Sequence, residues 1–252
     1  LPSSISALSI GNPFTELAEV DSTNNYAMAQ ALQGTANHGH AWFAWRQTAG
    51  KGSRGKSWNA ADGQNIILSV LLSPSPLISA YSFYLSAAVA LAVYDFFKSF
   101  AGDETTIKWP NDIYWRDRKA AGILVENNIR GNTWQWAVAG MGVNINQTAF
   151  NPSLSNPVSL KQITGKTYDV IAMAKILCGC LQIRYQQMQQ NKESILEDYN
   201  AALYKKGEMV KLKKNNAVFS CTIKGVNAFG QLEIVDAPLS QVEFGEVEWV
   251  IK

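Results

Sequence analysis

RQTAGKGSRGKSW, residues 46–58, is the stretch around which the rest of the chain is read. Gly50, Gly52 and Gly55 alternate in it with Lys51, Arg54 and Lys56, and between residues 22 and 61 the chain carries four Lys or Arg and neither Asp nor Glu. Glycine backbone can approach a ligand closely and turn its N–H groups onto phosphate oxygens. The interleaved cations add charge-assisted hydrogen bonds to the same oxygens. A flexible solvated loop has the same composition, so the stretch alone leaves a phosphate cradle and a bland loop both open. Residues 50–57 satisfy the letters of a P-loop, but Trp58-Asn59-Ala60-Ala61-Asp62-Gly63 opens no amphipathic helix, and a P-loop phosphate sits on a helix N-terminus.

The flanks read as a frame for this loop. Residues 41–47 are aromatic and residues 65–72, NIILSVLL, are a nearly continuous apolar run ended by Ser-Pro-Ser-Pro, so the loop joins two core strands. Upstream, residues 1–20 read as an extended lead-in, and Ser22 or Thr23 as the N-cap of a helix. Residues 81–100 place Leu85, Ala88, Val89, Ala92, Val93, Phe96 and Phe97 at helical spacing, a helix covering one sheet face. Residues 107–110, 112–115, 120–127 and 134–144 read as an antiparallel meander with turns at Arg116-Asp117-Arg118 and Arg130-Gly131-Asn132. Residues 147–165 read as a long surface loop, and 168–190 and 193–204 as two helices. Beyond Lys205-Lys206-Gly207, short alternating runs predict a small β barrel. The expectation is an α+β fold, a mixed and mostly antiparallel sheet with packed helices, divided into domains 1–206 and 207–252.

Composition removes several classes. Of 252 residues only 17% are charged and the net charge is +2, too little for a dedicated nucleic-acid binder. Cys178, Cys180 and Cys221 have no metal-ligand spacing with His38 and His40 and read as small buried residues in a reducing cytosol. Neither a cationic leader nor a run of about 18 apolar residues is present, so a cytoplasmic chain without a membrane segment is expected.

A second unusual stretch is Lys108-Trp109-Pro110-Asn111-Asp112, followed by Lys119. Pro110 cannot donate to a ladder and restrains Trp109, so the strand stops and presents Asn111 and Asp112 at a turn. Lys119 begins the next strand, where a rigid element fixes its side chain. Read alone, the pair is more simply a surface lysine and a turn acid.

Taken in order, Asp21-Ser22-Thr23-Asn24, Gln47 to Trp58, Lys108 to Asp112, Arg118 to Leu124 and Gly140-Met141-Gly142-Val143-Asn144 make the chain resemble the biotin protein ligases. The resemblance implies a class II synthetase-like catalytic domain, an SH3-like C-terminal barrel, and two-step chemistry. Biotin's carboxylate attacks the α-phosphate of ATP carried with Mg2+, and a lysine of a biotin carboxyl carrier domain then attacks the biotinyl-AMP. It implies that Lys119 bridges carboxylate and α-phosphate, that Lys51, Arg54 and Lys56 hold these anions with Gly50 and Gly52 keeping the backbone close, and that Lys108 and Asn111 lie beside the phosphates. Ser22, Thr23, Asn24 and Gln47 match the positions around biotin's ureido ring. Trp58 stacks on adenine and Asn144 meets its edge, while Gly122, Ile123, Gly140 and Gly142 let the ligand lie on strand backbone. Asp112 either places Mg2+ or anchors the hairpin. Lipoate ligases share the fold and the adenylate chemistry, and a sensor without transfer activity is the alternative of another class; an intact Lys119 argues against the sensor. Some members carry an N-terminal DNA-binding domain; about 20 residues precede Asp21 here, so no DNA partner is expected. Strand edges allow, without requiring, a homodimer.

One departure stands out. The family's basic loop usually reads GRGR, and here Gly50-Lys51-Gly52-Ser53 keeps one charge without its bidentate fork and drops the other. The adenylate is therefore expected to be held less tightly than with Arg at this position, unless Arg54 substitutes. A Ser53→Arg variant should release it more slowly in a dissociation time course; equal or faster release contradicts this.

Overall fold

The apolar run at 66–72 lies inside a seven-stranded sheet in a computed structural model that describes residues 9–250 apart from 76, 78, 132 and 155. In chain order the elements are β1 (Phe14–Leu17), α1 (Thr23–Leu32), β2 (Ala41–Ala44), β3 (Ile66–Leu72), α2 (Ser82–Ala101), β4 (Thr105–Lys108), β5 (Asp112–Trp115), β6 (Arg118–Arg130) and β7 (Thr133–Val143). There follow α3 (Leu160–Thr164), α4 (Val170–Gln190), α5 (Lys192–Ala201), β8 (Met209–Lys214), β9 (Ala217–Val226), β10 (Leu232–Val235), β11 (Gln241–Val242) and β12 (Glu248–Trp249). Of the expected lead-in, residues 1–8 lie outside the described residues, as do Pro76 and Asn132 of two expected turns.

The large sheet runs β1-β2-β3-β7-β6-β5-β4, with β1 parallel to β2 and every other pair antiparallel. The expected meander is thus present as β4 to β7. All seven residues of β3 are buried, because helices cover both faces of the sheet. On one face Leu85, Val89, Phe96 and Phe97 of α2 pack with Val70, Ala139, Met141 and Val143. On the other, Ala27 and Ala31 of α1 pack with Trp42, Leu71 and Val138. Full burial of each large side chain here contributes about 2–3 kcal/mol. Behind α2, Arg184 of α4 reaches both Asp95 of α2 and Asp198 of α5, each at 2.5 Å, and ties the three helices together.

Several expectations change. Ser22 occupies the N-cap position of α1, but its side chain makes no capping bond. The Thr23 N–H donates instead to Gln47 Oε1 at 2.8 Å, so the segment leading from β2 into the basic loop caps the helix. Residues 79–101 are long and apolar enough to cross a membrane, contrary to the composition reading, and they are mostly buried as the core helix of this fold. The expected surface loop 147–165 ends in buried structure: Val158, Ser159 and Leu160 are inaccessible, and Ser159 with Gln162 forms a capping box that starts α3. The last helix stops at Ala201, and Ile107 hydrogen-bonds with Ala202 and Tyr204 across the chain beyond it.

The C-terminal strands form an antiparallel sheet, β11-β10-β9-β8-β12, with β11 and β12 at its two edges. It packs on the larger unit. Trp109 Nε1 donates to Gly230 O at 2.9 Å, Asn200 bonds both backbone groups of Val226, and Leu212, Cys221, Ile223 and Leu232 join the main apolar cluster. Cys178, Cys180 and Cys221 are unbridged. Two of the three are buried as expected, and burial pushes the Cys178 thiol up to about 12. His38 accepts from Ser73 N–H and packs at a tilt against Tyr185, and His40 stacks on Trp42.

Candidate active site

Opposite one another in β6 and β7 stand Gly122 and Gly142, with Leu124 facing Gly140 one step along. These glycines make a patch of bare backbone on the α1 side of the sheet. A Cβ at Gly140 would collide with Asn24 Oδ1, one at Gly142 would collide with Trp58 Cε2, and one at Gly122 would lie 3.0 Å from Trp58 Cζ3. Asn24 and Trp58 therefore rest directly on main chain. A cleft of about 1230 Å³ opens over this floor, and every site residue expected from the sequence lines it except Gly50.

The inner end of the cleft is lined by uncharged polar side chains, with the Glu126 carboxylate bonded behind them. Gln47 Oε1 accepts from the Thr23 N–H at 2.8 Å and from Thr23 Oγ1 at 3.1 Å. Asn24 Nδ2 donates to Leu124 O at 3.2 Å and to Glu126 Oε2 at 2.8 Å, which leaves its Oδ1 to accept from Ser69 Oγ at 2.6 Å. Ser69 Oγ is also 2.7 Å from Thr23 Oγ1. A hydroxyl has one proton, and since Asn24 Oδ1 can only accept, the Ser69 proton belongs there; the single Thr23 proton is shared between two acceptors, Ser69 Oγ and Gln47 Oε1. Thr23, Asn24 and Ser69 are buried, so the network holds three side chains in one orientation.

The basic loop forms a lid over the outer part. It folds as a small hairpin, with Gly52 N–H donating to Lys56 O at 2.7 Å and Trp58 N–H to Gly50 O at 2.9 Å. Left-handed backbone occurs at Arg54 (φ 58°) and Gly55 (φ 73°), whereas Gly50 is required for close approach, since a Cβ there would collide with Trp58 O. Gly50 serves the hairpin and leaves the cleft wall to its neighbours. No helix follows Ser57, in agreement with the rejected P-loop reading. Lys51 Nζ lies 3.3 Å from Glu126 Oε1. Arg54 rests against Gly245 of the C-terminal sheet, where a Cβ would be 2.7 Å from Arg54 Cζ.

The remaining cations gather where β4 to β6 meet. Lys119 Nζ pairs with Asp112 Oδ1 at 2.7 Å and stands 5.8 Å from the Trp58 ring centroid. Its main chain is held from both directions, N–H to Asn156 O at 2.7 Å and O from Val158 N–H at 2.9 Å. Lys108 Nζ sits between the rings of Tyr114 and Trp249, 5.0 and 5.5 Å from their centroids. Burial pulls the Lys108 ammonium down to about 8; Asp112 opposes this, and Lys119 and Lys56 add to it. Asn111 Nδ2 donates to Ile123 O at 2.6 Å, and Asn144 Nδ2 to Val158 O at 3.1 Å and Lys119 O at 3.4 Å. The amide nitrogens of both asparagines are thus committed to bracing backbone.

Sequence reasoning missed Ser69, Glu126, Phe244, Gly245 and Trp249. Ser69 had a signal, as the one polar residue inside IILSVLL. The other four depend on long-range packing that no local pattern encodes. Among the described residues no group of three or more His, Cys, Asp or Glu is arranged to hold a metal.

Residues 17–144 match the Biotin/lipoate A/B protein ligase family, and the chain belongs to it. Among curated proteins it is 32% identical over 203 residues to the biotin–[acetyl-CoA-carboxylase] ligase of Mycobacterium tuberculosis, covering 78% of this chain and 73% of that one. It is 35% identical over 150 residues to the bifunctional ligase/repressor BirA of Escherichia coli, covering 58% and 44%. The chain spans about half the length of the BirA relatives it matches. A solved structure of biotin protein ligase from Aquifex aeolicus in complex with biotin and ATP shares the fold, with a TM-score of 0.78 and 23% identity over 94% of this chain and 97% of that one.

The Lys108 environment sets a pH dependence. Its folded value lies below the unfolded one, so the charged form destabilises the fold, and that penalty is relieved as pH rises from about 8 into the unfolded lysine range. The same proton loss removes a cation from the cleft. Binding of inorganic triphosphate, used as a probe anion, should weaken by about fivefold between roughly pH 7 and 9, and Lys108→Arg should remove most of that change. Calorimetric titration across this range checks it, and an unaltered profile in the variant contradicts it.

Proposed function

We propose that the chain is an ATP-dependent biotin protein ligase, which activates biotin to biotinyl-5'-AMP and transfers biotin to a lysine of a biotin carboxyl carrier domain. The observation that carries this reading is that a neutral, hydrogen-bonded pocket and a cluster of cations share one floor of bare backbone. A ureido ring is uncharged and needs paired donors and acceptors, the chemistry that the Thr23, Asn24, Ser69 and Gln47 side chains bring to this end of the cleft. Lipoate's dithiolane has no such groups and would gain no hydrogen bonds from these side chains, so the polar end of the pocket gives it no advantage. The relatives at 30% identity or more support biotin as well, being named ligases for biotin or BirA.

From that anchor the carboxylate tail runs toward Lys51 and Lys119. Lys119 holds the carboxylate and the α-phosphate together, two anions that otherwise repel, and its charge is worth most where negative charge gathers. A carboxylate oxygen forms a bond to the α-phosphorus as the bond to the bridging oxygen breaks, and pyrophosphate leaves with those electrons. Lys51, Arg54, Lys56 and Lys108 balance the phosphate charge. In the second step the carrier lysine's amine attacks the acyl carbon, AMP departs, and the amine gives up a proton. Trp58 covers Gly122 and Gly142 with its Nε1 buried and without a partner. In this reading it swings off the floor to stack on adenine, whose edge Asn144 Oδ1 meets.

Asp112 is the carboxylate beside Lys119 and Lys108, which suits Mg2+ carried in on ATP phosphates, an ion that commonly takes one or two protein carboxylates. Bound there, the ion would offset phosphate charge. The remaining architecture fits a class II synthetase-like catalytic domain over 1–206 and an SH3-like domain over 207–252 whose Gly245 and Trp249 roof the cleft.

Biotin-dependent exchange of labelled pyrophosphate into ATP tests the reading. Exchange should require biotin and fall by about a thousandfold in Lys119→Ala. Exchange with lipoate in place of biotin moves the assignment to the sister chemistry, and no exchange with either leaves a sensor without ligase activity.

A further inference from the structure

Among the described residues Glu126 is the acid whose side chain touches both halves of the site, and neither the motifs nor the proposed chemistry uses it. It lies on β6 two residues beyond Leu124, on the same face as Gly122. Its Oε2 accepts from Asn24 Nδ2 at 2.8 Å, while its Oε1 lies 3.3 Å from Lys51 Nζ. Asn24 is in the first turn of α1, which contains no acidic residue of its own, so the carboxylate sits where the helix dipole favours negative charge.

The two contacts differ in kind. The Asn24 side chain is buried and locked into the Thr23–Ser69 chain. Lys51 and Glu126 are 42% and 34% exposed, and an ion pair that open to water has little net strength. One oxygen of Glu126 therefore belongs to the rigid inner network, and the other holds an exchangeable partner.

We infer that Glu126 is a positioning residue: it is the resting counter-ion of Lys51, and it yields that lysine to the carboxylate of the incoming substrate. The inference rests on the proposed biotin activation. At rest Glu126 keeps the Lys51 ammonium pointed into the cleft while the rest of the lid is solvated. When the substrate carboxylate arrives, Lys51 changes partner and the Asn24 contact stays, so the neutral end of the pocket is undisturbed. Once that carboxylate is joined to the α-phosphorus as a mixed anhydride it has lost its charge, and Glu126 again competes for Lys51.

The test compares calorimetric binding of biotin and of its uncharged amide, biotinamide, to the wild type, Glu126→Gln and Glu126→Ala. In Glu126→Gln the new amide can turn its carbonyl to Asn24 and leave Lys51 without a competitor, so biotin should bind about two- to fivefold tighter with biotinamide unchanged. Glu126→Ala removes the Asn24 acceptor as well and should weaken biotinamide. In a Lys51→Gln background, Glu126→Gln should no longer alter the biotin-to-biotinamide ratio, a dependence that a merely structural glutamate would not show. Equal changes for both ligands in Glu126→Gln, or weaker biotin binding, overturn the inference while leaving the ligase reading in place. A wild type that binds neither ligand overturns both.

Discussion

Everything in the cleft leans on the absence of side chains at three positions. The β6–β7 register sets Gly122 against Gly142 and puts Gly140 one step away, and on that bare strip Asn24 and Trp58 reach main chain. A methyl at Gly140 or Gly142 would overlap their atoms, well inside any van der Waals contact. The sheet can supply such a floor because its opposite face carries the large apolar residues that secure it to α2. Stability and binding are thus assigned to different faces of the same two strands.

The polar groups above the floor divide by how tightly each is held. Thr23, Asn24 and Ser69 are buried and linked, and leaving one unpaired costs about 1–3 kcal/mol, so that end of the site is rigid. Lys51 and Lys119 are paired with Glu126 and Asp112 in partly exposed positions, where an ion pair is worth about 0–1 kcal/mol net. Such pairs keep the cations placed and surrender them at small cost when oxyanions enter. Lys108 differs again, since burial between two rings lowers its proton affinity and makes its charge sensitive to pH.

Much of this was legible in the sequence because it rests on local pattern. The apolar run at 66–72, the helical spacing of Leu85 to Phe97 and the turn-separated strands from 107 to 144 each report their own burial and period. The clustering of Lys51, Lys119 and Asp112 was carried by the ordered motifs. What escaped depends on distance along the chain. Ser159-Leu160-Lys161-Gln162 is a capping box that could have been found, but a loop-like composition around it masked the buried end of the segment. Glu126 meets Lys51 across 75 positions, and Gly245 meets Arg54 only because the C-terminal sheet folds over the lid. The Ser22 side chain makes no cap because Gln47, from the segment that follows β2, arrives to do that work, a tertiary substitution that propensity does not see.

The central claim is that one bare floor lets a neutral head group and two anions meet. The direct measurement is a quench of the chain mixed with biotin and ATP in the absence of any acceptor, with the small molecules identified by mass spectrometry for the wild type and for Gly142→Ala. The account predicts biotinyl-5'-AMP in an amount approaching that of the protein for the wild type, and loss of it in a Gly142→Ala chain that remains folded by circular dichroism. Equal adenylate from the folded Gly142→Ala chain contradicts the role given to the floor, and none from the wild type contradicts the account as a whole.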